Sequence, residues 1–352
     1  MSSEIQKHSL GDFTLKSGNT ISNAFVAYKT FGSPSNPLII FPTSYSLRIS
    51  DNEWLIGSGL TLDTEKYFIV VPALFGNGES TSPSNTPNPR PFPDVTFYDN
   101  IRAQHDLVTK GLGLSHAKAV MGWSMGAGQA FQWATQFPDF MDVCVPYCGS
   151  AKTSEHNQVF LEGVKSALLS AKGTASAGIC KGEIMTGGEY RGWTEEEKVA
   201  GLKALGRVYA GWGFSQPFYR HQVYRTAETL GFKDLEHFMV GFWETWALDK
   251  DPENMLAMLH TWQSGDVSDQ EPYNGDFDAA MKGIKAKILV MPCRTDLYFP
   301  PEDSEIEVQH MRPGVGELAV FESIWGHWAG GPGQSVEDAK FLQQKLTAQL
   351  KK

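Results

Sequence analysis

Apolar runs of strand length alternate with helical patterns through the first half of the chain. Apolar and polar residues alternate over 11–28, which predicts an antiparallel hairpin at the edge of a sheet. Four continuous apolar runs predict strands that are buried on both faces, at 37–41, 67–71, 119–121 and 143–146. Helical periodicity over 94–113 and over 125–137 separates the later runs. Buried strands that alternate with helices predict an α/β fold with a mostly parallel sheet and helices on both faces.

An aromatic-rich helical stretch interrupts this alternation between about 176 and 280. We interpret it as an inserted lid over the carboxyl ends of the strands, where open α/β sheets hold their ligands. Strand patterns return at 287–291 and 317–321, and an amphipathic helix is predicted over 335–350. The predicted organisation has three parts: the first part of the core (1–175), the helical lid (176–280) and the last part of the core (281–352).

The composition favours a soluble protein that acts on small molecules. A formal charge of -10 and a pI near 5.4 argue against nucleic acid or an anionic membrane surface as partners, because both require a basic face. The N-terminus lacks an apolar signal core and no run is long enough to span a bilayer, so we expect a cytoplasmic location. No metal site is expected, and four scattered cysteines are interpreted as free thiols: Cys144, Cys148, Cys180 and Cys293.

A G-x-S-x-G motif, Gly122-Trp123-Ser124-Met125-Gly126, lies between a predicted strand and a predicted helix. This context forces the serine into a tight turn that presents its hydroxyl above the sheet, and the small glycines avoid collisions there. We therefore predict Ser124 as a nucleophile, with the backbone N–H of Met125 as one donor of an oxyanion hole. The alternative is a serine that only caps the following helix.

A serine hydroxyl needs a base and an acid that orients that base. Asp296 follows the predicted strand at 287–291, and His327 follows the last predicted strand. This order, nucleophile then acid then histidine, is the one that the strand-turn-serine arrangement requires. Asp303 is a rival acid, whereas His105 and His116 precede the serine and are poorly placed to be its base.

The oxyanion hole needs a second N–H beside that of Met125. In a sheet of this topology the donor comes from the loop after the early buried strand at 37–41. Thr43 and Ser44 both lie in that loop, and the pattern leaves the choice between them open.

Five stretches of the chain, together with these motifs, resemble the homoserine O-acetyltransferase family within the α/β-hydrolase superfamily. They read FPDVTFYDNIRAQHDLV, GWSMGAGQAFQWATQFPD, WGFSQPFYR, DLYFPP and WGH and are spread over most of the chain. The resemblance implies an α/β-hydrolase fold with Ser124 as nucleophile, Asp296 as orienting acid and His327 as base. It also implies a covalent acyl-enzyme that takes its acyl group from a thioester and passes it to a hydroxyl acceptor.

Two departures from the family pattern change the expected substrate. Trp123 and Ala127 stand where the family commonly has glycines, and Trp328 stands where it commonly has an aspartate that suits an ammonium group. A tryptophan forms no ion pair with an ammonium group, so homoserine is not the expected acceptor. The indoles indicate a larger or more apolar substrate, as in relatives that resemble polyketide acyl transferases. The alternative is that both indoles simply pack inward. We predict Trp123, Trp328 and Tyr45 as substrate-binding residues.

The leading hypothesis from the sequence is a serine-dependent acyl transferase that uses a ping-pong mechanism. No cofactor is expected to stay bound; acetyl-CoA or another acyl thioester, an acyl carrier or a polyketide donor would be a co-substrate. An esterase or thioesterase with the same triad is the alternative, and a binding protein without turnover is a third reading. A homodimer is compatible with the sequence. Four basic lid residues are candidates for a carboxylate or phosphate, although a charged helix face also explains them: Arg207, Arg220, His221 and Arg225.

Overall fold

One eight-stranded sheet organises the molecule. The computed structural model describes residues 4–87, 89–173, 191–332 and 335–351. The strands are β1 (Gln6–Thr14), β2 (Thr20–Phe31), β3 (Leu38–Ile40), β4 (Phe68–Pro72), β5 (Ala117–Trp123), β6 (Met141–Tyr147), β7 (Lys287–Val290) and β8 (Gly316–Leu318). Their order across the sheet is β1-β2-β4-β3-β5-β6-β7-β8. Pairs β1–β2 and β2–β4 are antiparallel and all other pairs are parallel, which confirms the predicted mostly parallel sheet.

Twelve α-helices are present in the described residues. They are α1 (Phe97–Asp106), α2 (Met125–Gln136), α3 (Glu155–Ser170), α4 (Glu195–Gly213), α5 (Gln216–Arg220), α6 (Val223–Thr226), α7 (Leu235–Phe238), α8 (Thr245–Leu248), α9 (Pro252–Gln263), α10 (Phe277–Gly283), α11 (Pro301–His310) and α12 (Val336–Leu350). Short 3₁₀ turns cover Ile49–Leu55 and Gly326–Gly330, and π-helical turns cover Leu107–Gly111 and Met239–Glu244. None of the described helices is both long enough and apolar enough to cross a membrane.

Most predicted elements are present with shifted ends. The helix predicted over 94–113 begins at Phe97, because Thr96 and Asp99 form a capping box at its start. The strand predicted at 317–321 covers only Gly316–Leu318, and Phe321 continues beside Cys293 through an isolated bridge. These differences lie at element ends, where hydrogen-bonding partners outside the element decide its length.

Separate apolar clusters lie on the two faces of the sheet. One face packs against α1, α2 and α10, with residues such as Ile101, Phe131 and Met281 fully buried. The other face packs against α12 through Leu342 and Leu346. This layering, with helices on both faces of the sheet, is the predicted α/β-hydrolase architecture.

A third cluster, rich in aromatic rings, lies above the carboxyl ends of the strands. It is formed by helices α3 to α9, which we call the cap, together with sheet-side residues including Tyr45, Met125 and Tyr298. Helix α3 packs against α4 and α9, whereas α10 packs against α2 and α11 of the core. The boundary predicted near residue 175 lies outside the described residues, as does part of the predicted lid, 176–190. The three-part division of the chain therefore stays a prediction.

Candidate active site

Ser124 occupies the sharp turn between β5 and α2. Its backbone has φ 56° and ψ -124°, a conformation that residues with a Cβ rarely adopt. A Cβ on Gly122 would collide with the backbone of Gly126, so the first glycine of the motif is required where the strand meets the helix. The N–H of Ser124 donates to the carbonyl of Tyr147 in β6 at 3.0 Å, which anchors the turn to the neighbouring strand.

The structure brings Ser124, His327 and Asp296 together in one hydrogen-bonded chain. Nε2 of His327 lies 2.9 Å from Oγ of Ser124, and Nδ1 of the same ring lies 2.8 Å from Oδ2 of Asp296. Because a carboxylate only accepts, Nδ1 carries the proton and Nε2 is left to accept the serine hydroxyl. Ser124 makes no helix-capping bond with its side chain, which contradicts the alternative of a purely capping serine.

Backbone donors hold the carboxylate of Asp296 in its place. Its Oδ1 accepts the N–H groups of Tyr298 at 2.8 Å and Phe299 at 3.3 Å. Asp296, His327 and Ser124 are all buried, with relative exposures of 4%, 2% and 4%. Hydrogen bonds at such a buried site act in a low-dielectric environment and are strengthened by it. The rival acid, Asp303, lies in the first turn of α11, and the carboxylate that contacts His327 is that of Asp296.

The two candidates for the second oxyanion donor differ in their hydrogen bonds. Thr43 donates its N–H to the carbonyl of Pro72 at 3.1 Å, and its hydroxyl accepts the N–H of Leu74 at 3.1 Å. The structure therefore contradicts Thr43 as a donor, because its N–H is already used inside the core. Ser44, the next residue, lines the cavity beside Ser124. Met125 begins α2, so its N–H has no acceptor within that helix.

A cavity of about 340 Å³ opens beside Ser124 and His327. All three predicted substrate-binding residues, Trp123, Trp328 and Tyr45, line it. The lining comes from both halves of the molecule: Ser44, Tyr45, Ser46, Leu47, Asp51, Trp123, Ser124, His327, Trp328 and Pro332 from the sheet side, and Tyr209, Gly241, Phe242, Thr245, Trp246 and Lys250 from the cap. The site is therefore a chamber lined by six Phe, Tyr and Trp side chains among its sixteen residues, with the hydroxyl of Ser124 at one wall.

The predicted substrate-binding residues also pack inward. The ring of Trp328 contacts those of Phe214 and Trp243 in the cap, with centroids 5.0 Å and 5.2 Å away. The hydroxyl of Tyr45 donates to the carbonyl of Met255 in the cap at 3.3 Å, and its ring stacks on Tyr209. Trp328 and Tyr45 therefore join the cap to the core and also face the cavity, so inward packing and a place in the cavity wall do not exclude each other.

Sequence reasoning missed the cap residues that close the cavity. Gly241, Phe242, Thr245 and Trp246 come from the π-helical turn Met239–Glu244 and the start of α8. The pairs at positions 241 and 245 and at 242 and 246 are four residues apart, so helical spacing was a signal for a shared face. A π-turn has no reliable sequence signature, and which face of it meets the cavity depends on the packing of the cap.

Charged residues lie around the cavity, but most are paired with one another. Arg48 on the sheet side and Asp249 on the cap form an ion pair of 2.9 Å, and Lys250 lies next to it in the cavity wall. Arg207, a predicted anion-binding candidate, pairs with Glu236 and Glu244 at 2.6 Å within the cap. The other basic candidates are not part of the cavity lining: Arg220, His221 and Arg225.

Three of the four predicted free thiols are described, and all three are buried and unpaired: Cys144, Cys148 and Cys293. Burial raises the pKa of Cys293 to about 12 and raises the pKa of the Cys148 thiol well above its usual range. Cys180 lies outside the described residues. Across the described part of the chain, no group of three or more His, Cys, Asp or Glu side chains is arranged to hold a metal ion.

The two rejected histidines have partners elsewhere in the structure. The ring of His105 stacks on Phe137 with centroids 3.9 Å apart, and His116 lies 2.9 Å from the carboxylate of Asp142. Neither lines the cavity.

Comparisons with known proteins agree with this architecture. The chain matches the model of the α/β-hydrolase fold family over residues 36–329. It is 34% identical over 343 residues to an ethyl acetate hydrolase of Pseudomonas veronii, covering 95% of this chain and 91% of that protein. It is 26% identical over 352 residues to a homoserine O-acetyltransferase of Haemophilus influenzae, covering 89% and 90% of the two. The solved structure of an acetylester hydrolase from Corynebacterium glutamicum matches with a TM-score of 0.89 and 31% identity, covering 99% of this chain and 96% of that one.

These matches confirm the resemblance that the motifs indicated and the predicted fold. The relatives include both hydrolases and acyltransferases of the same architecture, and the alignments cover nearly the whole chain. The chain therefore belongs to the α/β-hydrolase fold family and is an enzyme of its hydrolase and acyltransferase group.

Proposed function

We propose that this protein is a serine esterase that hydrolyses small esters of short acyl groups through an acyl-enzyme on Ser124. The observation that carries the proposal is the unbroken chain from the Ser124 hydroxyl through His327 to Asp296, at 2.9 Å and 2.8 Å, at the wall of an apolar cavity. A serine in this arrangement loses its proton as it attacks, because the imidazole accepts that proton and the carboxylate stabilises the resulting charge.

In the acylation step, Oγ of Ser124 attacks the carbonyl carbon of the ester and its proton moves to Nε2 of His327. The carbonyl oxygen becomes an oxyanion, which the N–H groups of Met125 and Ser44 would hold. The bond to the alcohol oxygen then breaks, His327 returns the proton to that oxygen, and the alcohol leaves. The acyl group remains as an ester on Ser124.

In the deacylation step, water attacks the acyl carbon and gives a proton to His327. The bond from that carbon to Oγ of Ser124 breaks, the serine regains its proton from His327, and a carboxylic acid is released. Each residue therefore returns to its starting state, and no further reactant is required.

Size and lining of the cavity favour a small ester. A volume of about 340 Å³ is at the lower end of ligand pockets in proteins, and six large aromatic side chains contribute to its wall. The relatives in Pseudomonas veronii and Corynebacterium glutamicum are named for ethyl acetate and acetyl esters, at 34% and 31% identity. Both arguments support acetyl or similarly short acyl groups.

Acyl transfer to an alcohol is the second candidate, and it uses the same acyl-enzyme. The observation that favours it is the enclosure of Ser124 by rings from both halves, since a transferase must exclude water or hold its acceptor at an effective molarity above that of water, about 55 M. The likeness to a homoserine O-acetyltransferase at 26% identity points the same way. Homoserine itself is not proposed, because Trp328 offers no partner for its ammonium group.

Mass spectrometry of the protein with a short-chain ester tests the esterase directly. We expect an acetyl adduct on Ser124 during turnover of an acetate ester, labelling of Ser124 by a fluorophosphonate, and a fall in kcat of about 10⁵-fold or more for Ser124→Ala. A Ser124→Ala protein that keeps its activity would contradict the proposal. Failure of the intact protein to react with the fluorophosphonate would support instead a binding protein without turnover.

The partition of the acyl group separates the two candidates. An acetate ester or acetyl thioester is supplied with and without a series of small alcohols, and the amounts of free acetic acid and of the acetate ester of each added alcohol are measured. We expect mainly acid for every alcohol. An alcohol that takes most of the acyl group at millimolar concentration would identify a transferase, because it would then outcompete water in spite of water's concentration of about 55 M.

A further inference from the structure

Trp123 makes two separate contacts with the residue that we propose as the base. Its indole ring stacks on the imidazole of His327, with ring centroids 4.9 Å apart and an angle of 24° between the planes. Its Nε1–H donates to the backbone carbonyl of His327 at 3.2 Å. One side chain therefore holds both the ring and the main chain of the same residue, and it does so from the position directly before the nucleophile.

The loop after His327 has the shape that this indole requires. A Cβ on Gly331 would lie 2.6 Å from Cζ2 of Trp123, and all three of its nearest atoms belong to that ring. A Cβ on Gly330 would lie 3.0 Å from Cδ1 of the same ring, and 2.9 Å from Sγ of Cys148 and Cδ2 of Tyr147. Gly331 has φ -94°, which any residue adopts, so its backbone does not explain why it is a glycine. The space that its side chain would occupy is filled by the indole of Trp123.

The other contacts of the imidazole leave a movement that Trp123 blocks. Asp296 holds Nδ1, the ring of Tyr298 meets the imidazole edge-on with centroids 4.7 Å apart, and the ring of Phe299 lies 5.6 Å away at 43° to it. A single hydrogen bond to Nδ1 allows the ring to tilt about that bond, which would carry Nε2 away from Ser124. The indole lies nearly parallel to the imidazole and opposes that tilt, while its N–H fixes the main chain from which the ring projects.

We propose that Trp123 is a positioning residue for His327, wedged between the imidazole and the Gly330–Gly331 backbone, and that it keeps Nε2 aligned with the hydroxyl of Ser124. This inference rests on the proposed function, since it assigns a role relative to the proposed base. It differs from the role predicted for Trp123, because a residue that only lines the cavity affects substrate binding rather than the proton transfer.

Substitutions of Trp123 and of Gly331, which contacts its ring, test the proposal. Trp123→Leu removes the stacking ring and the N–H, and we expect kcat for a small acetate ester to fall about 10- to 100-fold, since misplacement by about 1 Å costs up to that factor. KM should change less than about 3-fold, and phosphonylation of Ser124 by a fluorophosphonate should slow by the same factor as kcat. Trp123→Phe keeps a ring for stacking and should recover part of the loss.

Gly331→Ala tests the position of the indole more directly, because it keeps the Trp123 side chain but displaces it. We expect Gly331→Ala to lower kcat by a factor similar to that of Trp123→Leu. In the double variant Trp123→Leu/Gly331→Ala, the second substitution should lower kcat little further, because the ring that it displaces is already absent. Such non-additive losses of kcat indicate that the two residues are in contact. Trp133→Phe is the control: Trp133 is a buried indole away from the cavity that donates Nε1–H to Gln104 at 3.0 Å, so its loss should lower the melting temperature without changing kcat.

Three results would overturn the proposal. A rise in KM with unchanged kcat in Trp123→Leu would make the indole a cavity wall only. Losses that multiply in the double variant would show that Trp123 and Gly331 act independently. Losses of kcat in Trp133→Phe as large as those in Trp123→Leu would show general destabilisation. None of these results touches the proposed function, which is tested separately by the activity of Ser124→Ala and by the reaction of the wild-type protein with the fluorophosphonate.

Discussion

The two halves of the cavity are built in different ways. On the sheet side, each chemically active group is held by directional hydrogen bonds of 2.8 to 3.3 Å, and Ser124 is held in a strained backbone conformation as well. On the cap side, three of the six lining residues are aromatic, and the rings of Phe242 and Trp246 pack on those of Trp243 and Tyr209. Directional bonds fix positions to a few tenths of an ångström, whereas ring packing only fills space.

This difference assigns separate tasks to the two halves. Reaction chemistry depends on the alignment of a few atoms, so it belongs on the rigid end of the sheet. Substrate choice depends on the shape of an apolar volume, which a cap can change through one side chain without disturbing the sheet. We therefore expect changes on the sheet side to affect kcat and changes on the cap side to affect the preference among substrates.

After Ser124→Ala, the largest effect is expected for Asp296→Asn. An amide would offer its N–H₂ to Nδ1 of His327 and stabilise the tautomer in which Nε2 carries the proton, so the base could not accept the serine proton. We expect a fall in kcat of about 10⁴-fold with little change in KM, measured on an acetate ester. Asp303→Asn, at the rival acid, should change kcat less than about 3-fold. Equal losses in the two variants would refute the assignment of Asp296.

A smaller effect, of a different kind, is expected for Trp246→Ala in the cap. Removing this ring enlarges the cavity on its cap side, so kcat/KM for hexanoyl relative to acetyl esters should rise about 10-fold. A chain-length series of acyl esters measures the shift. Trp193→Ala is the control, since this indole binds Glu253 at 2.6 Å elsewhere in the cap and does not line the cavity. An unchanged series in Trp246→Ala would mean that the cap does not select the acyl chain.

Glu307→Gln tests how the contact between α11 and the segment before α3 contributes to the free energy of unfolding. Glu307 in α11 accepts the N–H of Ala151, just before α3, at 2.6 Å, and burial raises the pKa of its carboxyl from 4.5 to about 8. Between pH 4.5 and about 8, the carboxyl of Glu307 thus keeps its proton in the folded protein, whereas the unfolded chain has lost it. The stabilising contribution is complete below pH 4.5 and is lost as the pH rises through about 8.

We expect the free energy of unfolding of the wild-type protein to fall by about 1 kcal/mol more than that of Glu307→Gln between pH 7 and pH 9. Chemical denaturation of both proteins across this range measures the difference. Parallel curves would show that Glu307 does not titrate there, and a wild-type protein that gains stability with pH relative to the variant would reverse the sign of the argument.

The smallest effect is expected for the ion pair between Arg48 on the sheet side and Asp249 on the cap. Both side chains are about half exposed, at 50% and 54%, so solvent screens the 2.9 Å contact. A double-mutant cycle with Arg48→Ala and Asp249→Ala should give a coupling of about 0.5 kcal/mol in low salt, and less in 1 M salt. A coupling above about 2 kcal/mol would mean that this pair, rather than ring packing, holds the cap to the core.

Much of the candidate site could be predicted because its signals are local. The turn at Ser124 needs a strand, small residues and a helix next to one another in the chain, and the sequence pattern predicts all three. Asp296 and His327 could be placed because each follows a late strand, and carboxyl ends of parallel strands meet at one edge. Thr43 was wrongly included because its N–H is used by Pro72, a residue of the neighbouring β4, and no local pattern reports that bond.

By itself, the sequence determined the layered α/β architecture, the nucleophile turn and the order of the three polar residues, because hydrophobic period and turn chemistry act between residues close in the chain. Only the tertiary structure decided which atoms meet: Ser124 and His327 are 203 positions apart and lie 2.9 Å from each other. It also decided that the cap closes the cavity through a π-turn and that Trp123 fills the space left by Gly331. Contacts of this kind depend on how separate elements pack, and packing is settled by all of their surfaces together.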